Sequence, residues 1–214
     1  DQNLVIMETM KTVAERHGLV CLLHEKPYAG INGSGKHNNW SIGTDTGKNL
    51  LNPGKNPASN TQFLIFLAAV IKAVDDYQGL LRLSIATAGN DSRLGADEAP
   101  PAIISVFVGE ELERIIRSII HGQAYEGANR ATMNLGVPSI PTFRRDTTDR
   151  NRTSPFAFTG KKFEFRMPGA AQNIAMPNIV LNTAVAKSFS EYADRLENAA
   201  DFDAELHDLL REVF

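Results

Sequence analysis

The amino-acid sequence predicts a mixed α/β (α+β) chain. Apolar residues recur at helical spacing near the start, in the middle and at the end of the chain. Between them, "KKFEFRM" alternates with the two-residue period of a strand. The shorter runs "LVCLLHEK" and "KHNNWSIGTD" are bounded by glycine and proline, as strands are. With 214 residues, 43% of them hydrophobic, the chain is long and apolar enough to bury one large core.

Ile6, Met10 and Val13 mark an opening helix, and Gly18 offers its C-cap just after Arg16 and His17. "LVCLLHEK" follows as a strand ended by Pro27 and Gly30, and "KHNNWSIGTD" as a second strand. After the loop "TGKNLLNPGKNPASN", a helix runs from Thr61 to about Ala86, with Ser59 or Asn60 as its N-cap. "GNDSRLGADEAPP" is a polar loop, and Pro100 and Pro101 suit the first turn of another helix. Ile104, Val108, Ile115 and Ile119 would line one face of that helix up to Gly122. "GVPSIPTFRRDTTDRNRTSP" is a basic loop. From about Asn178 the tail is helical, with a break near 200–203. No internal repeat or domain boundary interrupts residues 1–214, which read as one domain.

Bulk properties exclude several classes of function. A net charge of −3 gives no general drive toward nucleic acid or anionic lipid. The longest apolar run, "FLIFLAAVI", is too short to span a bilayer. The opening residues lack a signal-peptide pattern. Cys21 is the single cysteine, which excludes an intrachain disulfide and fits a reducing compartment. The expectation is a soluble cytoplasmic protein without nucleic-acid or membrane partners.

Gly30, Gly35 and Lys36 have the spacing of a phosphate-cradling P-loop. Two requirements fail. His37 stands where that motif needs a hydroxyl for Mg²⁺, and a strand rather than a helix follows. Taken alone, the stretch reads as a glycine-rich hairpin carrying a surface histidine.

"NGSGKHNNWS" nevertheless resembles the N-G-S-G-x-H motif of glutamine synthetases, and "ERHGLVCLLHEKPYAG" resembles that family's lead-in to it. "RLGADEAPPAI" resembles the family's Arg-then-Glu-Ala-Pro loop, "NRTSP" its Asn-Arg-Ser/Thr segment, and "KKFEFR" its Glu-x-Arg strand. These motifs stand in family order over most of residues 10–180, and their wording is nearest to the long, type III enzymes.

The resemblance implies a glutamine synthetase-type catalytic domain, with antiparallel strands of an active-site barrel and helices outside. It implies a ligase that phosphorylates the γ-carboxylate of glutamate with ATP and lets ammonia displace the phosphate. Such chemistry needs divalent cations, Mg²⁺ or Mn²⁺, and arginines around the transferring phosphoryl group. By resemblance, His37 and Glu164 are ligands of the metal nearer the ATP phosphates. Glu98 belongs to a flap that binds ammonium, takes its proton and shields the acyl phosphate. Arg93, Arg152 and Arg166 bind glutamate carboxylates and the phosphoryl group, Asn32 and Gly33 bind glutamate, and Ser41 and Lys162 lie toward the nucleotide. A large ring-shaped homo-oligomer is also implied.

Plainer readings cover the neighbours of these residues. His17 and His121 suit helix ends, His24 and His207 lack a ligand pattern, and Arg144, Arg145 and Arg150 suit a solvated surface. On a strand, Glu164 and Arg166 share one side, and Phe163 and Phe165 face the other. Ala157 stands where shorter glutamine synthetases carry an arginine, and Ser92 where histidine is expected. The family's second metal draws its carboxylates from strands before the equivalent of residue 1. The chain therefore reads as a C-terminal part of the catalytic domain, inactive by itself. The alternatives are a divergent homologue without activity and another carboxylate–amine ligase of the same fold.

Overall fold

The computed structural model describes residues 2–96, 99–125, 127 and 154–214, together with the short strand segments 132–133 and 143–144. Helix α1, Gln2–Arg16, ends as the sequence predicts. Gly18 adopts φ +67°, Leu19 N donates to Ala14 O at 2.9 Å and Gly18 N to Glu15 O at 3.0 Å, which is a Schellman turn. No α1 side chain is buried, and Leu4, Val5, Ile6, Met10 and Val13 are exposed.

The strand expected at "LVCLLHEK" does not form. The apolar pattern is present, but a strand also needs a partner ladder, and none of the described strands pairs with it. Leu19, Val20 and Leu22 are accordingly exposed. The second expected strand forms as β1, Asn38–Trp40.

Helix α2, Thr61–Leu83, starts where its cap predicts. Asn60 Oδ1 accepts from Phe63 N at 3.1 Å, and Asn60 Nδ2 donates to the carbonyls of Asn52 and Pro53, each at 3.2 Å. Asn60→Ala should therefore cost somewhat more than an ordinary cap, about 1–2 kcal/mol. Chemical denaturation checks this. Asn60→Asp keeps the acceptor and should recover about half, and an unchanged Asn60→Ala midpoint would deny the cap any role.

Two local expectations are corrected further on. The polar loop contains a short helix, α3, Ala88–Arg93, capped by Thr87 Oγ1 accepting from Asn90 N at 3.2 Å. Pro100 and Pro101 do not open a helix. Residues Val106–Phe107 form strand β2, and helix α4, Glu110–Ile120, begins only after Gly109, which holds φ +90°. Ile104 and Val108 thus precede the helix, and Ile115 and Ile119 lie on it. Glu110, Glu111 and Glu113 in its first turn complement the helix dipole.

Strands β3, Thr132–Met133, and β4, Phe143–Arg144, form an antiparallel pair. Strands β5, Phe156–Phe158, and β6, Phe163–Phe165, complete a four-stranded sheet in the order β1-β6-β5-β2. The β1–β6 and β6–β5 pairs are antiparallel, and β5–β2 is parallel. Among the described strands β1 and β2 are the sheet's ends, so a closed barrel is not formed by these strands alone.

Helices α5, Ala175–Glu197, and α6, Phe202–Val213, break at the expected place, where Asp201 accepts from Ala204 N at 3.1 Å. The core joins one face of the sheet to α2, α5 and α6. Phe156 and Phe163 stack with centroids 4.6 Å apart, and Phe63 lies 5.8 Å from Phe158. No helix among the described residues is long and apolar enough to cross a membrane.

Candidate functional site

The site is assembled by the antiparallel pairing of β1 with β6, in which Asn39 lies opposite Glu164. The two-residue period puts His37, Asn39 and Ser41 on the same face as Lys162, Glu164 and Arg166. Glu164 is the centre of this group. Its Oε2 lies 3.4 Å from His37 Nδ1 and accepts from Arg166 Nε at 3.1 Å. Its Oε1 lies 3.8 Å from Lys162 Nζ, which also donates to Asn39 Oδ1 at 2.6 Å. Ser41 sits at the far end, where its Oγ donates to Lys161 O at 2.9 Å and is 3.1 Å from Asn49 Oδ1.

The other face is anchored. Phe163 and Phe165 are fully buried, Asn38 Nδ2 donates to Asn178 Oδ1 at 2.8 Å, and Trp40 Nε1 donates to Asn182 Oδ1 at 2.8 Å. Asn178 and Asn182 are one helical turn apart on α5, so β1 is fixed against that helix at two points.

His37 and Glu164 suit a divalent cation. Ligand atoms about 2.1 Å from one octahedral ion lie about 3 Å apart, close to the 3.4 Å observed between Nδ1 and Oε2. Among the described residues no third histidine, cysteine or carboxylate joins them.

The glycine loop passes beneath this face. Lys36 N donates to Pro168 O at 2.9 Å, Lys36 Nζ donates to Gln172 O, and the chain then enters β1 rather than a helix. The P-loop spacing is thus coincidental. Gly33 packs on Arg93: a Cβ there would lie 2.5 Å from Arg93 Cγ, and one on Gly35 would lie 2.1 Å from Nη2. Asn32 is exposed on the same loop.

Arg93 lies in the interior, with 3% of its surface exposed. Its Nη1 donates to Asn90 Oδ1 at 2.9 Å and to Met167 O at 3.0 Å, and its Nη2 to Arg166 O at 3.1 Å. Burial pushes its guanidinium pKa below the ordinary range, and the charge of Glu25 opposes that shift. Glu98 and Arg152 lie outside the described residues.

Three contributors were not singled out from sequence. Asn39 was available from the two-residue period. Asn90 is fully buried and donates to Ile85 O and Met167 O, each at 2.9 Å, but its local sequence reads as a polar loop. Glu25 is buried inside a run that reads as a strand, and nothing in the sequence marks it.

A family model described as glutamine synthetase, catalytic domain, matches residues 1–87. The chain is 56% identical over 188 residues to the type-3 glutamine synthetase of Dictyostelium discoideum, covering 88% of this chain and 26% of that protein. It is 61% identical over 164 residues to a glutamine synthetase of Butyrivibrio fibrisolvens, covering 77% and 23%. Against a glutamine synthetase of Bacteroides fragilis the identity is 50% over 196 residues, covering 90% and 27%. The chain thus spans about a quarter of the length of these curated relatives. On this similarity over most of its residues, the chain belongs to the glutamine synthetase family.

Proposed function

We propose that the chain is part of the catalytic domain of a cytoplasmic glutamate–ammonia ligase that makes glutamine through a γ-glutamyl phosphate. The observation that carries this reading is the Glu164 carboxylate held between His37 and Arg166 on one face of two paired strands. Relatives named glutamine synthetase support the reaction class.

In this reading His37 and Glu164 would hold Mg²⁺ or Mn²⁺, which would supply positive charge beside the ATP phosphates. Arg166 lies beside that carboxylate and would stabilise the oxygens of the phosphoryl group as glutamate's γ-carboxylate attacks phosphorus and the bond to ADP breaks. Arg152 is proposed for the same charge and for the substrate carboxylates. Asn32 and the backbone at Gly33 would orient glutamate, and Ser41 and Lys162 the nucleotide. Ammonia nitrogen then attacks the acyl carbon, the carbon–oxygen bond to phosphate breaks, and Glu98 accepts the nitrogen's proton. A ring-shaped homo-oligomer of the whole protein belongs to the same proposal.

The test is His37→Ala in the full-length protein. The Mg²⁺ concentration for half-maximal γ-glutamyl transfer should rise by about 10- to 100-fold, since a ligand is lost. An unchanged metal titration removes His37 from the site.

A further inference from the structure

Strand β1 carries half of the site with little in its own ladder to hold its register. It has three residues, it is an end strand of the four-stranded sheet, and β6 is its one partner among the described strands. The pairing also changes step beside it. Gly35 bridges Gly169, whereas Asn38 pairs with Phe165, three residues further along one chain segment and four residues back along the other. One extra residue therefore lies on the β6 side between the bridge and the ladder, as in a β-bulge. Continued without that step, the register of the bridge would set Asn39 opposite the fully buried Phe165 and His37 opposite the fully buried Met167. Directly opposed residues share a face, so the side chains of the site would turn into the core.

Helix α5 supplies a constraint that the ladder lacks. Asn178 Oδ1 accepts from Asn38 Nδ2, and Asn182 Oδ1 accepts from Trp40 Nε1, each at 2.8 Å. The two acceptors are four residues apart on a helix, about 6 Å along its axis. The two donors are two residues apart on a strand, about 6.6 Å along it. These spacings match, so both bonds close together in the observed alignment. A one-residue slip of β1 takes Asn38 and Trp40 off the helix and opens both. Asn38 is 4% exposed, so water cannot readily replace its partner.

We infer that Asn178 and Asn182 are positioning residues: from α5 they select the register of β1 on β6, and with it the spacing of His37 and Glu164 that a divalent cation has to match. The inference rests on the metal role proposed for those two residues. Aspartate at positions 178 and 182 keeps the acceptor oxygen and the shape, whereas leucine removes the acceptor at a similar volume.

Changing both Asn178→Leu and Asn182→Leu in the full-length protein should weaken Mn²⁺ binding, measured by calorimetry, by about tenfold. Changing both to aspartate should keep Mn²⁺ affinity within about twofold of wild type, because both acceptors remain. Asn60→Ala controls for stability alone: it should lower the melting temperature and leave Mn²⁺ affinity unchanged. If the leucine pair does not fold, Trp40→Phe keeps an aromatic ring, loses the donor to Asn182, and should weaken Mn²⁺ binding by about threefold. Wild-type Mn²⁺ affinity in the folded leucine pair, or in Trp40→Phe where that pair does not fold, overturns the inference. So does an equal loss in the aspartate pair or in Asn60→Ala, which would trace the effect to general stability. Mn²⁺ binding that survives His37→Ala unchanged removes the metal role and this inference with it. A wild-type protein that makes no glutamine, yet binds Mn²⁺ in this asparagine-dependent way, would sink the ligase reading and leave the inference standing.

Discussion

Glu164→Gln should lower glutamine formation by the full-length protein by about a thousandfold or more, a loss of about 4 kcal/mol of transition-state stabilisation. The substitution is nearly isosteric, so strand pairing should survive and the effect should be electrostatic. It weakens one of two proposed metal ligands and takes a negative charge away from His37, Lys162 and Arg166 at once. Single-turnover assays with saturating Mg²⁺ separate these parts. If excess metal restores the rate, the carboxylate serves mainly as a ligand. If it does not, orientation of Arg166 carries the larger share. A variant with near wild-type activity would remove Glu164 from the chemistry altogether.

The second large effect is on stability. Phe163 is fully buried, stacks on Phe156 at 4.6 Å and meets the edge of Phe158 at 5.2 Å. It also lies on β6, the strand between β1 and β5. Phe163→Ala should cost about 3–5 kcal/mol from lost burial and the cavity left behind. Phe163→Leu should cost roughly half as much, because much of the volume is kept. Denaturant midpoints at equal slope decide this. A cost below about 1 kcal/mol for the alanine variant would mean that the site does not rest on this aromatic stack.

The contrast between these residues shows what local sequence can reveal. Helices α1, α2, α5 and α6 were legible because their periodicity, and caps such as Gly18 and Asn60, are encoded within a few residues of each other. The Glu164 face was legible because alternation along β6 alone puts Glu164 and Arg166 on one side. β2 was not, because its partner is β5, some fifty residues later, and the intervening sequence carries no trace of the pairing. The run at "LVCLLHEK" erred in the opposite direction: apolar content was right, and the missing term was a neighbouring ladder. The interior placement of Arg93 was equally hidden. Its guanidinium bonds to carbonyls more than seventy residues away, and the sequence shows only an arginine in a polar loop.

The shortness of β1 and β6 has a consequence for how this region can diverge. Each strand has three residues, and the proposed site depends on side chains projecting from one face of both. Shifting either strand by one position would turn His37, or Glu164 with Arg166, toward the buried aromatic side and bring Phe163 or Asn38 to the site. A substitution here changes one side chain and leaves the facing of the others intact, whereas a change in length reverses the facing of them all. A one-residue insertion or deletion within 37–41 or 162–166 should therefore dismantle the proposed site, whereas one in the flanking connections should leave its facing intact.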